Sequence, residues 1–220
     1  MKCLAVNTAN TLLTLALVID GQLVHAYETS ETRDQGNLLL QHAQKALDAA
    51  QLTYQQLDLL AVVTGPGSFT GIRIGLATMR ALSMAAEVPV MGVSAFELFA
   101  AQRTGYANII CVESWREELY FQVNDAAGNT IIQAVNLSPE DFLQKLAPVP
   151  GPYLLSGDAA EKLQPLLAGA VMHDAKITAA DAAQIAAAKF QKTGPVWPGL
   201  LKRAASARSA IAMPTAFAWP

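Results

Sequence analysis

Asn7, Thr8 and Asn10 lie where an apolar run, Lys2 to Val6, gives way to a short polar turn. A polar side chain at a strand end can orient a metal-bound water or a phosphate, although an amide does so less well than a carboxylate. A second candidate is Gly65-Pro-Gly-Ser-Phe-Thr-Gly-Ile-Arg-Ile-Gly75, a glycine-rich turn running into a helix. Such a turn can cradle an anion on helix N–H groups. This one lacks the Gly-Lys-Ser/Thr ending of a Walker loop and misses the dinucleotide spacing. Ser68 or Thr70 is placed to cap the helix instead.

Other chemistries find little support. The three histidines, His25, His42 and His173, form no His-x-x-x-His pair, so neither a zinc peptidase nor any other metal site is expected. His42 stands alone on a helical stretch and reads as a packing or surface histidine. No serine or cysteine stands near a base and an orienting acid, so no catalytic residue is assigned. Asp158, Glu161 and Asp181 read as helix-start acids that favour the macrodipole. Cys3 and Cys111 each sit in an apolar run, which suits buried, reduced thiols and a cytoplasmic protein.

Composition narrows the classes further. Of 220 residues, 52% are hydrophobic and only 15% charged, so some apolar surface is expected to be reserved for another chain. The formal net charge of −3 argues against a protein that grips nucleic acid by itself. After Asp181 no acid follows, while Lys189, Lys192, Lys202, Arg203 and Arg208 do. That stretch reads either as a solvated tail or as a contact for RNA or an acidic partner. The apolar N-terminus is interrupted by Asn7, Thr8, Asn10 and Thr11, which argues against a signal peptide, and no run reaches the roughly 20 residues of a membrane span.

The elements that must position these residues follow from periodicity. Strands are expected at Lys2–Val6, Leu12–Ile19 and Leu23–Tyr27, the last two joined at Asp20-Gly21, a strong hairpin signal. A helix from about 35 to 50, a strand at Leu59–Val63, a helix from about 69 to 86, a strand at Val90–Val93 and a helix capped by Ser94 and running to about Arg103 come next. Strands at Asn108–Val112, Leu119–Asn124 and Thr130–Val135 repeat the opening pattern. A short helix from Ser138, a strand at Tyr153–Leu155, a helix over Ala159–Leu167 and an alanine-rich helix from Thr178 or Asp181 to about Lys192 complete a weaker second copy. The order implies an α/β fold of two βββαβα lobes, the duplicated actin-like (RNase H-like) ATPase architecture with a degenerate second lobe. The division expected is 1–104, 105–195 and an irregular tail, 196–220.

The helix at 69–86 is apolar on nearly every side, so it must be covered on two faces. Gly71 and Gly75 lie one above the other and allow a close backbone approach. The approaching element could be the helix at 35–50 or a second chain.

Here the chain resembles the TsaB (YeaZ) family of bacterial proteins for tRNA threonylcarbamoyladenosine synthesis. The resemblance rests on the eleven-residue motif, on Pro89-Val-Met-Gly-Val-Ser94, on Leu4-Ala-Val-Asn-Thr8 and on Glu118-Leu-Tyr120. It covers roughly residues 1–125. It implies a non-catalytic subunit that pairs with a TsaD-like catalytic subunit through the helices at 35–50 and 70–86. A TsaE-like ATPase completes the complex, the same surface also serves a homodimer, and tRNA is met only through the assembly. The residues expected on that surface are Leu39, Leu40, Ala43, Gly71, Ile74, Gly75, Thr78 and Met79. Asn7 and Thr8 would be a vestigial nucleotide site, with no cofactor required and ATP or ADP binding doubtful.

The chain departs from the family pattern at four places. Asn7 replaces the usual aspartate, Glu113-Ser-Trp115 replaces Asp-Ala-Arg, Asp34-Gln35-Gly36 replaces a His-Ser/Thr pair, and Trp197-Pro-Gly-Leu-Leu replaces Tyr-Leu-Arg. The alternative on the same architecture is a sugar- or acetate-type kinase, which would need a carboxylate where Asn7 stands.

Overall fold

The computed structural model describes residues 1–31, 34–100, 105–174 and 176–194. The described residues fall into two compact units, one comprising Met1–Leu98 and the stretch from Lys176, the other beginning at Phe99.

In the first unit, β1 (Lys2–Asn7), β2 (Leu13–Ile19), β3 (Gln22–Thr29), β4 (Leu59–Val63) and β5 (Val90–Val93) form one sheet in the order β3-β2-β1-β4-β5. β1 pairs antiparallel with β2, which pairs antiparallel with β3, while β1, β4 and β5 run parallel. Asp20 and Gly21 take positive φ angles of 51° and 80°, as the two-residue hairpin turn between β2 and β3 requires. The continuous apolar sequences of β1, β2 and β4 are buried almost throughout, so both faces of the sheet are covered. On one face lie α1 (Gln35–Ala49) against β2 and α2 (Phe69–Ala86) against β4 and β1. The other face is covered by α6 (Ala179–Thr193), which packs on β1, β2, β4 and β5.

α6 marks a difference from the sequence expectation. The division at 104 and 195 assigned this helix to the second lobe, but its apolar face, Ala182, Ala183 and Ala186, is buried on the first sheet. Alanine spacing predicts the helix and carries no information about which sheet it covers. Local chemistry fixes its start: Thr178 and Asp181 form a reciprocal capping box, and the Ala179 N–H donates to Thr14 Oγ1 at 2.9 Å. Lys189 then donates to the Gly92 carbonyl oxygen at 2.9 Å and pairs with Glu97 at 2.7 Å, so it is an anchor within this unit and no part of a basic tail. Lys202, Arg203, Arg208 and the expected tail at 196–220 lie outside the described residues.

The second unit repeats the topology in miniature. β6 (Ala107–Val112), β7 (Leu119–Asn124), β8 (Thr130–Leu137), β9 (Tyr153–Ser156) and β10 (Val171–Met172) lie in the order β10-β9-β6-β7-β8, the same sequence of pairings as in the first sheet. Its helices are reduced. α4 (Pro139–Leu146) has 8 residues and α5 (Ala160–Leu163) only 4, against 15 and 18 in α1 and α2. Pro165 turns the end of the expected 159–167 helix into a 3-10 segment. One core, in which Phe121 stacks on Phe142 with ring centres 3.9 Å apart, holds this unit together. Between the two sheets in sequence runs α3 (Ala95–Ala100), whose start is fixed by a Ser94–Glu97 capping box; its expected extension to Arg103 falls outside the described residues.

Candidate functional site: a sealed strand end and an outward helix stripe

At the end of β1 the polar residues singled out by the sequence are buried and engaged. Asn7 Oδ1 accepts the Ala9 N–H at 3.0 Å, and Asn7 Nδ2 donates to Asn10 Oδ1 at 3.0 Å. Both ends of the amide therefore shape the turn. Thr8 Oγ1 donates to the Gly71 carbonyl oxygen at 2.7 Å, and Asn7 and Thr8 each retain only 1% exposure. The glycine-rich turn closes on the same place, because the Ser68 N–H donates to the Ala9 carbonyl oxygen at 2.6 Å. Ser68, of the two capping candidates, accepts the Gly71 N–H at 3.2 Å. The N–H groups of this loop that could cradle an anion are thus partly satisfied by the chain itself. No group of three or more metal-ligating side chains occurs among the described residues.

These contacts also explain the glycine pair on α2, and they overturn one expectation. A methyl group on Gly71 would overlap the Thr8 carbonyl oxygen, and one on Gly75 would overlap Thr8 Oγ1. The two glycines let α2 settle onto the end of β1 inside the unit, so neither lies on an outer surface. Leu39, Ala43 and Met79 are likewise fully buried. Of the eight residues expected on the partner-facing surface, only Leu40, Ile74 and Thr78 keep accessible area. Helical spacing groups residues by face, but an all-apolar helix does not reveal which face points inward.

The accessible stripe of α2 is formed by Phe69, Thr70, Arg73, Ala77, Ala81, Met84 and Ala85. Phe69 is 61% exposed and Met84 71%, while Leu40 on the adjoining α1 is 43% exposed. Ile74 Cγ2 comes within 4.0 Å of where a side chain on Gly36 would begin, so α1 and α2 join into one surface there. Phe69, Thr70, Arg73, Ile74 and Ala77 line a shallow depression. The sequence signal that could have located this stripe is Arg73, one of the two charged residues in α2.

The remaining candidates are structural. His42 stacks on Tyr27 with ring centres 3.3 Å apart, and burial with the nearby Lys45 charge lowers its pKa. Cys3 and Cys111 are free and buried, and burial pushes the Cys3 thiol up to about 12 and raises that of Cys111. Thiols held protonated in this way are poor nucleophiles. At the end of β6, Glu113 accepts the N–H groups of Ser114 and Trp115 and pairs with Lys162 at 2.5 Å. Burial opposes its ionisation, but Lys162 and those backbone donors outweigh it and lower the pKa. The Asp158 carboxylate accepts the Glu113 N–H at 2.9 Å.

Comparison with known proteins agrees with this architecture. A Bacillus subtilis protein described as tRNA threonylcarbamoyladenosine biosynthesis protein TsaB is 25% identical over 162 residues, 71% of each chain. An uncharacterised Mycobacterium tuberculosis protein is 31% identical over 160 residues, 72% of each. The crystal structure of YeaZ from Pseudomonas aeruginosa superposes with a TM-score of 0.72 at 20% identity, covering 90% of this chain and 96% of that one. A family model described as TsaD, tRNA N6-adenosine threonylcarbamoyltransferase, matches residues 31–194. The chain therefore belongs to the TsaD family of actin-like folds, as one of its TsaB/YeaZ-like members.

Proposed function

We propose that this chain is a non-catalytic subunit for N6-threonylcarbamoyladenosine formation in tRNA, and that it docks a TsaD-like catalytic subunit on the outward α1–α2 surface. The observation that carries the reading is the exposed stripe of α2. Phe69, Ala77, Ala81 and Met84, with Leu40 of α1, present adjoining apolar side chains to solvent. Exposed apolar area of this kind gains most when a second protein covers it. Family membership supplies the partner, a TsaD-like subunit assisted by a TsaE-like ATPase, with tRNA bound through the assembly. A homodimer on the same face is the competing use of the surface. The setting is the cytoplasm, consistent with buried reduced thiols and with no helix among the described residues long and apolar enough to cross a membrane.

Chemistry belongs to the partner in this reading. A kinase of this architecture would need a carboxylate at the end of β1, where Asn7 has both ends of its amide hydrogen-bonded. The deciding experiment is co-purification with the TsaD-like subunit of the same cell, with threonylcarbamoyladenosine in total tRNA measured alongside. Ala77→Trp places a bulky group in the centre of the stripe without touching the core. Complex formation and tRNA modification are expected to fall at least tenfold while the variant stays folded. Wild-type complex yield for this variant would refute the docking surface.

A further inference from the structure

The outer stripe of α2 is uneven. Its two large apolar side chains stand at the ends, Phe69 in the first turn and Met84 in the last, and small ones, Ala77, Ala81 and Ala85, lie between or beside them. Met84, at 71% exposure, is also the one exposed sulfur-bearing side chain among the described residues. Cys3 and Cys111 are buried, and burial holds their thiols protonated. Met79 and Met91 are buried at 0% and 4% exposure, and Met1 and Met172 are half-buried. Met213 lies outside the described residues. Thiolate character and exposure decide which sulfur an aqueous oxidant reaches first. By both measures the thiols are protected and Met84 is open.

Resting on the docking surface proposed above, we infer that Met84 is a site of reversible oxidation that regulates that surface, with a peroxide as the oxidant. One peroxide oxygen passes to the Met84 thioether sulfur. The O–O bond breaks, an S–O bond forms, the sulfur loses two electrons, and the remaining oxygen leaves as water. A dithiol-dependent methionine sulfoxide reductase reverses the step, giving back the thioether with a disulfide and water. The oxidised side chain is polar, yet it stands where an apolar contact is to form. Its neighbours on the stripe, Ala77, Ala81 and Ala85, offer the new oxygen no donor, and the Ser83 hydroxyl already donates to the Val88 carbonyl oxygen. On docking, the sulfoxide therefore loses its water partners and gains none from this stripe. In the free subunit it stays hydrated, so the fold is unaffected. Once a partner covers the stripe, Met84 is shielded, and oxidation acts on the unassembled chain.

The test treats the purified full chain with hydrogen peroxide, as wild type and as Met84→Leu, and locates sulfoxide by peptide mass spectrometry. Affinity for the untreated TsaD-like subunit is then measured by calorimetry, each protein against its own untreated sample. We expect Met84 to be oxidised about tenfold faster than Met79 or Met91. Wild-type affinity should fall about tenfold and that of Met84→Leu by less than about twofold. A methionine sulfoxide reductase with dithiothreitol should restore the wild type. The urea midpoint of the treated chain should match that of the untreated one, which separates lost docking from lost fold. Undiminished affinity with Met84 fully oxidised would overturn the inference, as would an equal loss in Met84→Leu, earlier oxidation of another sulfur, or a lowered urea midpoint. Each of those results leaves the docking surface standing. In the preformed complex, oxidation of Met84 should slow about tenfold. If it runs as fast there as in the free chain, and Ala77→Trp binds normally, the docking surface falls and the inference with it.

Discussion

At the scale of single residues, the most consequential pair is Thr8 and Gly71. Their hydrogen bond and the absence of a side chain on Gly71 hold the first turn of α2 against the end of β1. Gly71→Ala drives a methyl into a backbone carbonyl that cannot move without disturbing β1. We expect a loss of about 1–3 kcal/mol, read as a lower urea midpoint. Thr8→Val removes the donor and should cost roughly 1 kcal/mol. If Gly71→Ala is as stable as wild type, the packing described for the strand end is wrong. Asn7 allows a chemical test. Asn7→Asp restores a carboxylate but removes the donor to Asn10, and the turn around it stays closed by the Ser68–Ala9 bond. Titration calorimetry with ATP·Mg²⁺ should show no binding by this variant; a saturable heat would revive a nucleotide role.

At the scale of elements, α6 is held at both ends. Its N-terminus is fixed by the Thr178–Asp181 box and by Thr14, and its last turns by Lys189, which joins Glu97 and the end of β5. Burial raises the pKa of Glu97, but the Lys189 ammonium and the Ser94 donors outweigh it, so the carboxyl titrates below its ordinary 4.5. A depressed folded-state pKa stabilises the fold above the unfolded value, and that contribution disappears as pH falls through the folded value. The urea midpoint of wild type should therefore drop below about pH 4.5. Glu97→Gln should flatten part of that drop, by a small amount because the pair is partly solvated. Equal slopes for the two proteins would show that this pair contributes nothing. The α1–α2 surface also belongs at this scale: its outer stripe is defined by the packing of α2, which turns Gly71, Gly75 and Met79 inward and leaves Arg73, Ala77 and Met84 outside.

For the whole molecule, the decisive feature is that the chain returns to its first unit after building the second. Without α6 the apolar strands β1, β2 and β4 would have one bare face. Ala186→Glu puts a carboxylate against that face, and the penalty for an unpaired buried charge is several kcal/mol. Hydrogen exchange should then show lost protection in β1, β2 and β4, with Ile109–Val112 of β6 protected longer. Uniform loss across both sheets would mean that the units do not unfold separately.

Much of this was legible in the residues alone. Strands Leu59–Val63, Val90–Val93 and Leu119–Asn124 and the helix at 69–86 follow from the residues at their observed limits, because continuous apolar runs bounded by glycine, proline or a capping serine leave few other solutions. The duplicated order of strands and the eleven-residue motif identified fold and family. What the sequence could not settle was direction. Asn7 and Thr8 were legible as a polar strand end, but whether they face a ligand or their own chain depends on how the turn at 65–68 folds back. Gly71 and Gly75 were legible as a site of close approach, but the approaching group, Thr8, lies more than sixty residues away in the chain. Nor could alanine spacing say which sheet α6 covers. Periodicity records which residues share a face; only the assembled packing decides what that face meets.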